Sequence, residues 1–217
     1  MNFTCNNEAV QCSIQQVVVA GWTGRNRDAV DHHIEELAQL GITPPSQVPL
    51  YYRVSNALLT QENQIQVLGS ASSGEVEPLL IRQQDAWYLG LASDHTDRDL
   101  EAHSVAASKQ ACLKPVASEL WLFDSVKDHL DEITMSCTMT ENNEPVLYQE
   151  GSLANILPLQ QLIDESLLPE HAALLCGTLG AIGGVRPALR YQMMLKDPVL
   201  NKSITLNYAV TELPVVN

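Results

Sequence analysis

The sequence is short of basic residues, of paired cysteine motifs and of long apolar runs, and each shortage closes a route. Lysine and arginine number 12 against 26 acidic residues, a formal net charge of −14. Phosphate affinity comes from gathered Lys and Arg, so a general nucleic-acid binder is not expected. An anionic ligand would need several of the few cations brought together, which makes their positions informative. The five cysteines (5, 12, 112, 137 and 176) form no CxxC and no zinc spacing. They read as reduced, mostly buried thiols of a cytoplasmic protein. No apolar run approaches the eighteen or so residues of a membrane span, and the opening MNFTCNNEA lacks the basic and apolar regions of a signal peptide. The expectation is therefore a cytoplasmic chain with no membrane partner. The glycine cluster GTLGAIGG at 177–184 lacks the lysine of a phosphate-binding loop, so nucleotide binding is not expected either.

The chain does have enough apolar residues, 45% of 217, to build a sizeable core. It reads as a single domain over 1–217, with an N-terminal hairpin extension at 1–16 and a core at about 17–213. A hairpin is expected around Asn6-Asn7, then the strand QQVVVAGW. RDAVDHHIEELAQLG is an amphipathic helix with Val30, Ile34 and Leu37 as its stripe, stopped by Gly41 and Pro44-Pro45. Strand-like runs follow at 49–53, 64–68, 74–81 and 86–93, then a helix over 98–111. Alternating Ile133, Met135, Cys137 and Met139 with a turn at Asn142-Asn143 predict a second hairpin. A helix near 153–167, a strand at 171–177 and the strand SITLNYAVTEL complete the chain. Strands dominate without regular alternation with helices, so the class is α+β, mixed and strand-rich.

One strand is unusual. In SSGEVEPLLI, Glu75 and Glu77 flank Val76, and the period of two puts both carboxylates on one face, where they repel. Seventeen residues after Glu77, Asp94 ends an apolar strand. Three carboxylates from two strand ends suit a hard divalent cation, Mg²⁺ or Mn²⁺, with Ca²⁺ as a substitute in vitro. A cation would also neutralise the repulsion between the glutamates. The competing reading is a solvated edge strand with two surface glutamates.

The order of these and further motifs resembles the fumarylacetoacetate hydrolase family. The motifs are HIEEL at 33–37, LYYRVSNAL at 50–58, EVE at 75–77, DHTDRDLE at 94–101, Lys109 in SKQACLKPVASELW, YQEGSLANI at 148–156 and CGTLGAIGG at 176–184. They run in the family's order over roughly 17–213, as in a divergent branch of it. The resemblance implies a fumarylacetoacetase-like fold and a metal at Glu75, Glu77 and Asp94. It also implies a small anionic metabolite as ligand, a 2-oxo acid or acylpyruvate cleaved by C–C hydrolysis or decarboxylation, and a homodimer. A non-catalytic binding or dimeric member is the alternative. Arg25 and Arg98 match positions that hold substrate in relatives, Arg53 stands where a lysine is common, and Thr178, in a loop after a strand, either offers a hydroxyl and N–H to the substrate or simply makes the turn. Three departures stand out: Glu101 replaces a glutamine, Arg53 a lysine and Leu179 a proline. Of the two HxxE pairs on the helix, His33/Glu36 borders the apolar stripe at about 60° from Val30, whereas His32 faces water. His33 with Glu36 is thus the expected general base, and Lys109 a catalytic cation with Lys114 as its rival. Arg98 could instead pair simply with Asp97 or Glu101.

Overall fold

Asparagine pairs decide two of the tight turns. Asn6-Asn7 (φ 51° and 66°) and Asn142-Asn143 (φ 51° and 65°) occupy the left-handed region that short two-residue hairpins require. The structure is a computed structural model that describes residues 1–39 and 44–216, apart from the side chains of His33 and Leu37. Its first half runs β1 (Asn2–Cys5), β2 (Glu8–Gln11), β3 (Gln16–Gly21), α1 (Arg27–Gln39), β4 (Leu50–Val54), β5 (Leu59–Thr60), β6 (Gln64–Leu68), β7 (Ser72–Ser73), β8 (Val76–Gln83) and β9 (Ala86–Ser93). The second half runs β10 (Thr96–Asp97), α2 (Arg98–Glu101), α3 (Val105–Ala111), β11 (Lys114–Pro115), β12 (Glu119–Leu122), β13 (Thr134–Glu141), β14 (Glu144–Ser152), α4 (Leu159–Ser166), β15 (Ala172–Leu175), β16 (Arg190–Asp197) and β17 (Lys202–Leu213).

Two mixed sheets form. The larger has the order β2-β1-β12-β9-β8-β15-β3-β4 and the smaller β14-β13-β16-β17-β6. The N-terminal hairpin joins the larger sheet through a parallel pairing of β1 with β12. Between the sheets lies the main core, with Val18, Val76, Leu80 and Leu91 from one and Met135, Cys137, Tyr191, Met193 and Tyr208 from the other. The opposite face of the larger sheet buries Val17, Val19, Leu79, Ile81 and Leu175 with Phe3, Cys5 and Cys12. Strands β3, β8 and β15 are covered on both sides, which is why VVVA, PLLI and AALL are continuous apolar runs. β16 has one covered face and alternates buried with exposed.

Some expectations need correction. The helix over 98–111 is two helices, because Asp97 caps α2 (Leu100 N–H, 2.9 Å) and Ser104 caps α3 (Ala107 N–H, 3.2 Å). The helix over 153–167 is a 3₁₀ turn at Leu153–Asn155 followed, after Pro158, by α4. The strands β12 and β16 were not anticipated; exposed Met194 beside Met193 blurs the alternation of β16. The helix stop at Gly41 lies outside the described residues. The five cysteines are free and buried. No helix among the described residues is long and apolar enough to cross a membrane.

Candidate metal centre

Strands β8 and β9 are antiparallel neighbours, with Val76 opposite Ser93. Glu75 immediately precedes β8 and Asp94 immediately follows β9, and the Asp94 N–H donates to the Glu75 carbonyl at 3.0 Å. That bond sets the two acids side by side at one end of the strand pair. Glu77, two residues on, shares the face of Glu75. Ligand oxygens of Glu75, Glu77 and Asp94 all lie within 4.8 Å of one another. Glu77 is 2% exposed and Asp94 0%. This is not the solvated edge strand of the competing reading; β8 is interior to the larger sheet.

Cations answer the carboxylates. Arg98 Nη2 is 3.0 Å from Glu75 Oε1, its Nη1 donates to Glu101 at 2.8 Å, and its Nε donates to Ser73 Oγ at 2.7 Å. Lys109 pairs with Asp94 Oδ2. Lys114, its rival for the catalytic role, meets the same carboxylate, 3.1 Å from Asp94 Oδ1, and donates to the His95 carbonyl at 2.5 Å. Of the two partners foreseen for Arg98, Glu101 is one, whereas Asp97 caps α2. Glu77 receives the Gly177 N–H at 2.8 Å. Burial pushes the Glu77 carboxyl well up, and Asp94 pushes it further, against the pull of Lys109 and the Gly177 N–H. Burial also raises Glu75 despite Arg98. Burial would raise Asp94 too, but Lys109 and Lys114 outweigh it and hold that carboxyl below its usual range. The Lys109 ammonium, although buried, is held above its ordinary range by Asp94, Glu75 and Glu77.

A layer of uncharged groups fixes these ligands. Gln149 accepts from the Val76 N–H at 2.9 Å and donates to Thr178 Oγ1 at 2.8 Å and to the Leu179 carbonyl at 2.6 Å. The Thr178 hydroxyl donates in turn to the Val76 carbonyl at 2.8 Å. His95, fully buried, bonds Tyr208 at 3.0 Å and Ser72 at 2.9 Å, and Tyr208 also meets Ser93 at 2.8 Å. Burial, reinforced by Lys114 and Arg98, lowers His95 to about 3, so it is a neutral strut between the two sheets. Gly177, at φ 96°, has no room for a side chain: a Cβ would fall 1.7 Å from Thr23 Oγ1.

The donor set fits a hard divalent cation. It consists of carboxylate oxygens, and buried Asp94 Oδ1 receives no hydrogen bond, only the ammonium of Lys114. The remaining expected site residues are distributed more widely. Arg25 is clamped by Asp131 (2.7 and 2.8 Å) and by the carbonyls of Leu153 (3.0 Å) and Ile156 (2.7 Å). It lines an open cleft of about 580 Å³ with Trp22, Arg27, Tyr51, Leu157 and Glu165, and none of the three acids lines that cleft. Arg53 is exposed on the edge strand β4. Glu36 lies 3.4 Å from His32 Nε2, both exposed, and the His33 side chain is outside the described residues. Sequence reasoning missed Gln149, His95 and Tyr208 as supports. Gln149 lies within YQEGSLANI and His95 within DHTDRDLE, so those motifs held a signal; Tyr208, 113 residues from His95, had none.

A family profile described as "Protein of unknown function (DUF2848)" matches residues 20–208. The chain belongs to the DUF2848 family. A search of curated sequences found no match for this DUF2848 protein. Among solved structures it is similar to a candidate fumarylacetoacetate isomerase/hydrolase from Oleispira antarctica, at TM-score 0.68 and 18% identity over 97% of this chain and 100% of that one. A 2-keto-3-deoxy-D-arabinonate dehydratase complexed with magnesium and 2,5-dioxopentanoate gives 0.64 and 12% over 94% and 75%. The 5-carboxymethyl-2-hydroxymuconate delta-isomerase of Mycobacterium smegmatis gives 0.63 and 12% over 96% and 84%. At such identities the likeness carries the fold, and the fold is that of the fumarylacetoacetate hydrolase family; activity must be argued from the site.

Proposed function

We propose that this DUF2848 protein is a metal-dependent enzyme acting on a small 2-oxo acid or acylpyruvate-type substrate, by C–C bond hydrolysis or decarboxylation. The observation that carries the reading is the buried convergence of Glu75, Glu77 and Asp94 beside the fixed cations Arg98 and Lys109. The three acids would hold Mg²⁺ or Mn²⁺. Such a cation, when bound, supplies Lewis-acid polarisation to the carboxylate and keto oxygens of a 2-oxo acid. Lys109, screened from water, would stabilise negative charge developing on a substrate oxygen. On α1, His33 with Glu36 would take a proton from water in a hydrolytic reaction. Arg53 and Thr178 would contact the substrate. Arg25 would do so only by leaving Asp131. The magnesium and dioxo acid named for the dehydratase of similar fold support the ligand class.

One observation favours a second reading, a family member that binds a ligand without turning it over. Arg98, Lys109 and Lys114 already neutralise much of the acidic cluster, as in a purely structural ion network. Incubation of the Mg²⁺ or Mn²⁺ form with acylpyruvates and oxaloacetate, following loss of the enol absorbance, separates the two. Metal-dependent loss supports the enzyme. Binding of ligand with no loss across the panel supports the binder, and absence of metal uptake by calorimetry overturns the metal-dependent enzyme.

A further inference from the structure

Lys114 is a fully buried ammonium held on a short strand: β11 pairs in parallel with β5, Lys114 opposite Leu59. A charge so placed persists only where an anion and hydrogen-bond acceptors receive it. Its receivers are Asp94 Oδ1 and the His95 carbonyl. Yet Asp94 is already neutralised through its other oxygen by Lys109, so one carboxylate carries two ammonium groups. In the cluster as a whole, four carboxylates (Glu75, Glu77, Asp94 and Glu101) face three cations (Arg98, Lys109 and Lys114). A divalent cation added to four ionised carboxylates leaves one positive charge in surplus; without Lys114 the surplus is zero. Lys114 has no exposed surface with which to touch a ligand, so it acts on the site through its field.

We propose that Lys114 trades cation affinity for anion affinity: across Asp94 it repels the divalent cation, and it leaves the loaded site positive for a ligand with one carboxylate. This rests on the metal-dependent reading above. Unit charges some 5 Å apart inside a protein interact strongly enough to change an equilibrium by tenfold or more. The two effects have opposite signs, which a merely structural lysine would not produce, since loss of a structural support weakens both binding steps.

The experiment is calorimetric titration of the full chain with Mn²⁺, then of the Mn²⁺-loaded protein with oxamate, a one-carboxylate analogue of a 2-oxo acid. Lys114→Gln, which keeps a donor for the His95 carbonyl, is expected to bind Mn²⁺ roughly tenfold more tightly and oxamate roughly tenfold more weakly. Lys114→Arg, which keeps the charge, is expected to stay close to wild type in both. If Lys114→Gln folds only when Mn²⁺ is supplied, the cation is replacing the missing ammonium on Asp94, and the proposal stands. Failure to fold even with Mn²⁺ overturns it, because Lys114 is then structural alone. Wild-type binding of Mn²⁺ with unchanged or weaker binding by Lys114→Gln overturns this inference and leaves the metal reading intact. Absence of Mn²⁺ binding in wild type and variants overturns the metal reading and this inference with it.

Discussion

At the scale of single residues, Asp94 is the hinge of the site. It is fully buried, closes the end of the β8–β9 pair and receives two lysines. Asp94→Asn leaves both ammonium groups facing a neutral amide, and breaking a buried pair by removing one partner costs about 3–5 kcal/mol. Urea unfolding of the metal-free variant is expected to show a loss of that size together with loss of Mn²⁺ uptake; unchanged stability would contradict the ion-pair geometry. Glu77 and Glu75 give the pH dependence. Their folded carboxyls hold protons above the ordinary 4.5, burial being the first cause. A raised folded value means that their contribution to stability is full below the unfolded value and is lost as pH rises through the folded one. A bound cation replaces those protons, so Mn²⁺ affinity should rise as pH rises above the ordinary carboxylate value of 4.5. Titrations at several pH values that gave one constant affinity would exclude this linkage. His33→Ala, if the general-base role holds, lowers turnover of an active substrate roughly 10²- to 10⁴-fold with metal uptake nearly intact. His32→Ala is the control, since His32 is an exposed residue 3.4 Å from Glu36; equal effects of the two substitutions would end the assignment.

At the scale of elements, the site is made by strand ends and by the loop after β15. That loop turns at Gly177, where positive φ and the approach of Thr23 admit no side chain, and its N–H meets Glu77. Gly177→Ala is strained in the backbone by about 1–3 kcal/mol and must also push Thr23 aside. A clear drop in melting temperature is expected, with weakened Mn²⁺ uptake as the loop withdraws its N–H. Gly180→Ala, three residues on, meets nothing within 4 Å and should melt like wild type. Equal melting of the two variants would refute the close approach. The Gln149 amide ties this loop to β8: its oxygen holds the Val76 N–H while its nitrogen holds Thr178 and Leu179. Leu179, where the resemblance leads one to expect proline, is buried and its carbonyl is engaged, so the loop is held by contacts rather than by a ring.

At the scale of the whole molecule, two mixed sheets enclose the main core, and among the described residues β2, β4, β14 and β6 are their edge strands. Unpaired edges are managed by covering or pairing. The family resemblance gives the expectation of a homodimer, and light scattering at micromolar concentration should return twice the mass of 23.8 kDa. A mass equal to one chain would refute it. The strut formed by His95, Tyr208, Ser72 and Ser93 belongs to this scale, because Tyr208 comes from the smaller sheet and the other three from segments around β7 and β9.

Some of this was legible in order along the chain because it depends on near neighbours. Period two puts Glu75 and Glu77 on one face, Asn-Asn pairs make hairpin turns, and an apolar run ending in Asp94 brings a carboxylate to a strand end. Those local rules also carried the α+β class and the metal triad as an expectation. Whether the two glutamates met water or partners depended on what the rest of the chain laid over β8, and period alone does not encode burial. Lys109 and Lys114 looked like rivals because along the chain they are simply five residues apart. Only the pairing of β11 with β5 and the packing of α3 turned both ammonium groups onto one carboxylate. Arg25, which the resemblance assigns to a ligand, also has a partner that spacing could not reveal: Asp131, 106 residues away. Ion pairs and hydrogen bonds across such separations are chosen by the fold, since their energy depends on distance and burial in space rather than on spacing in sequence.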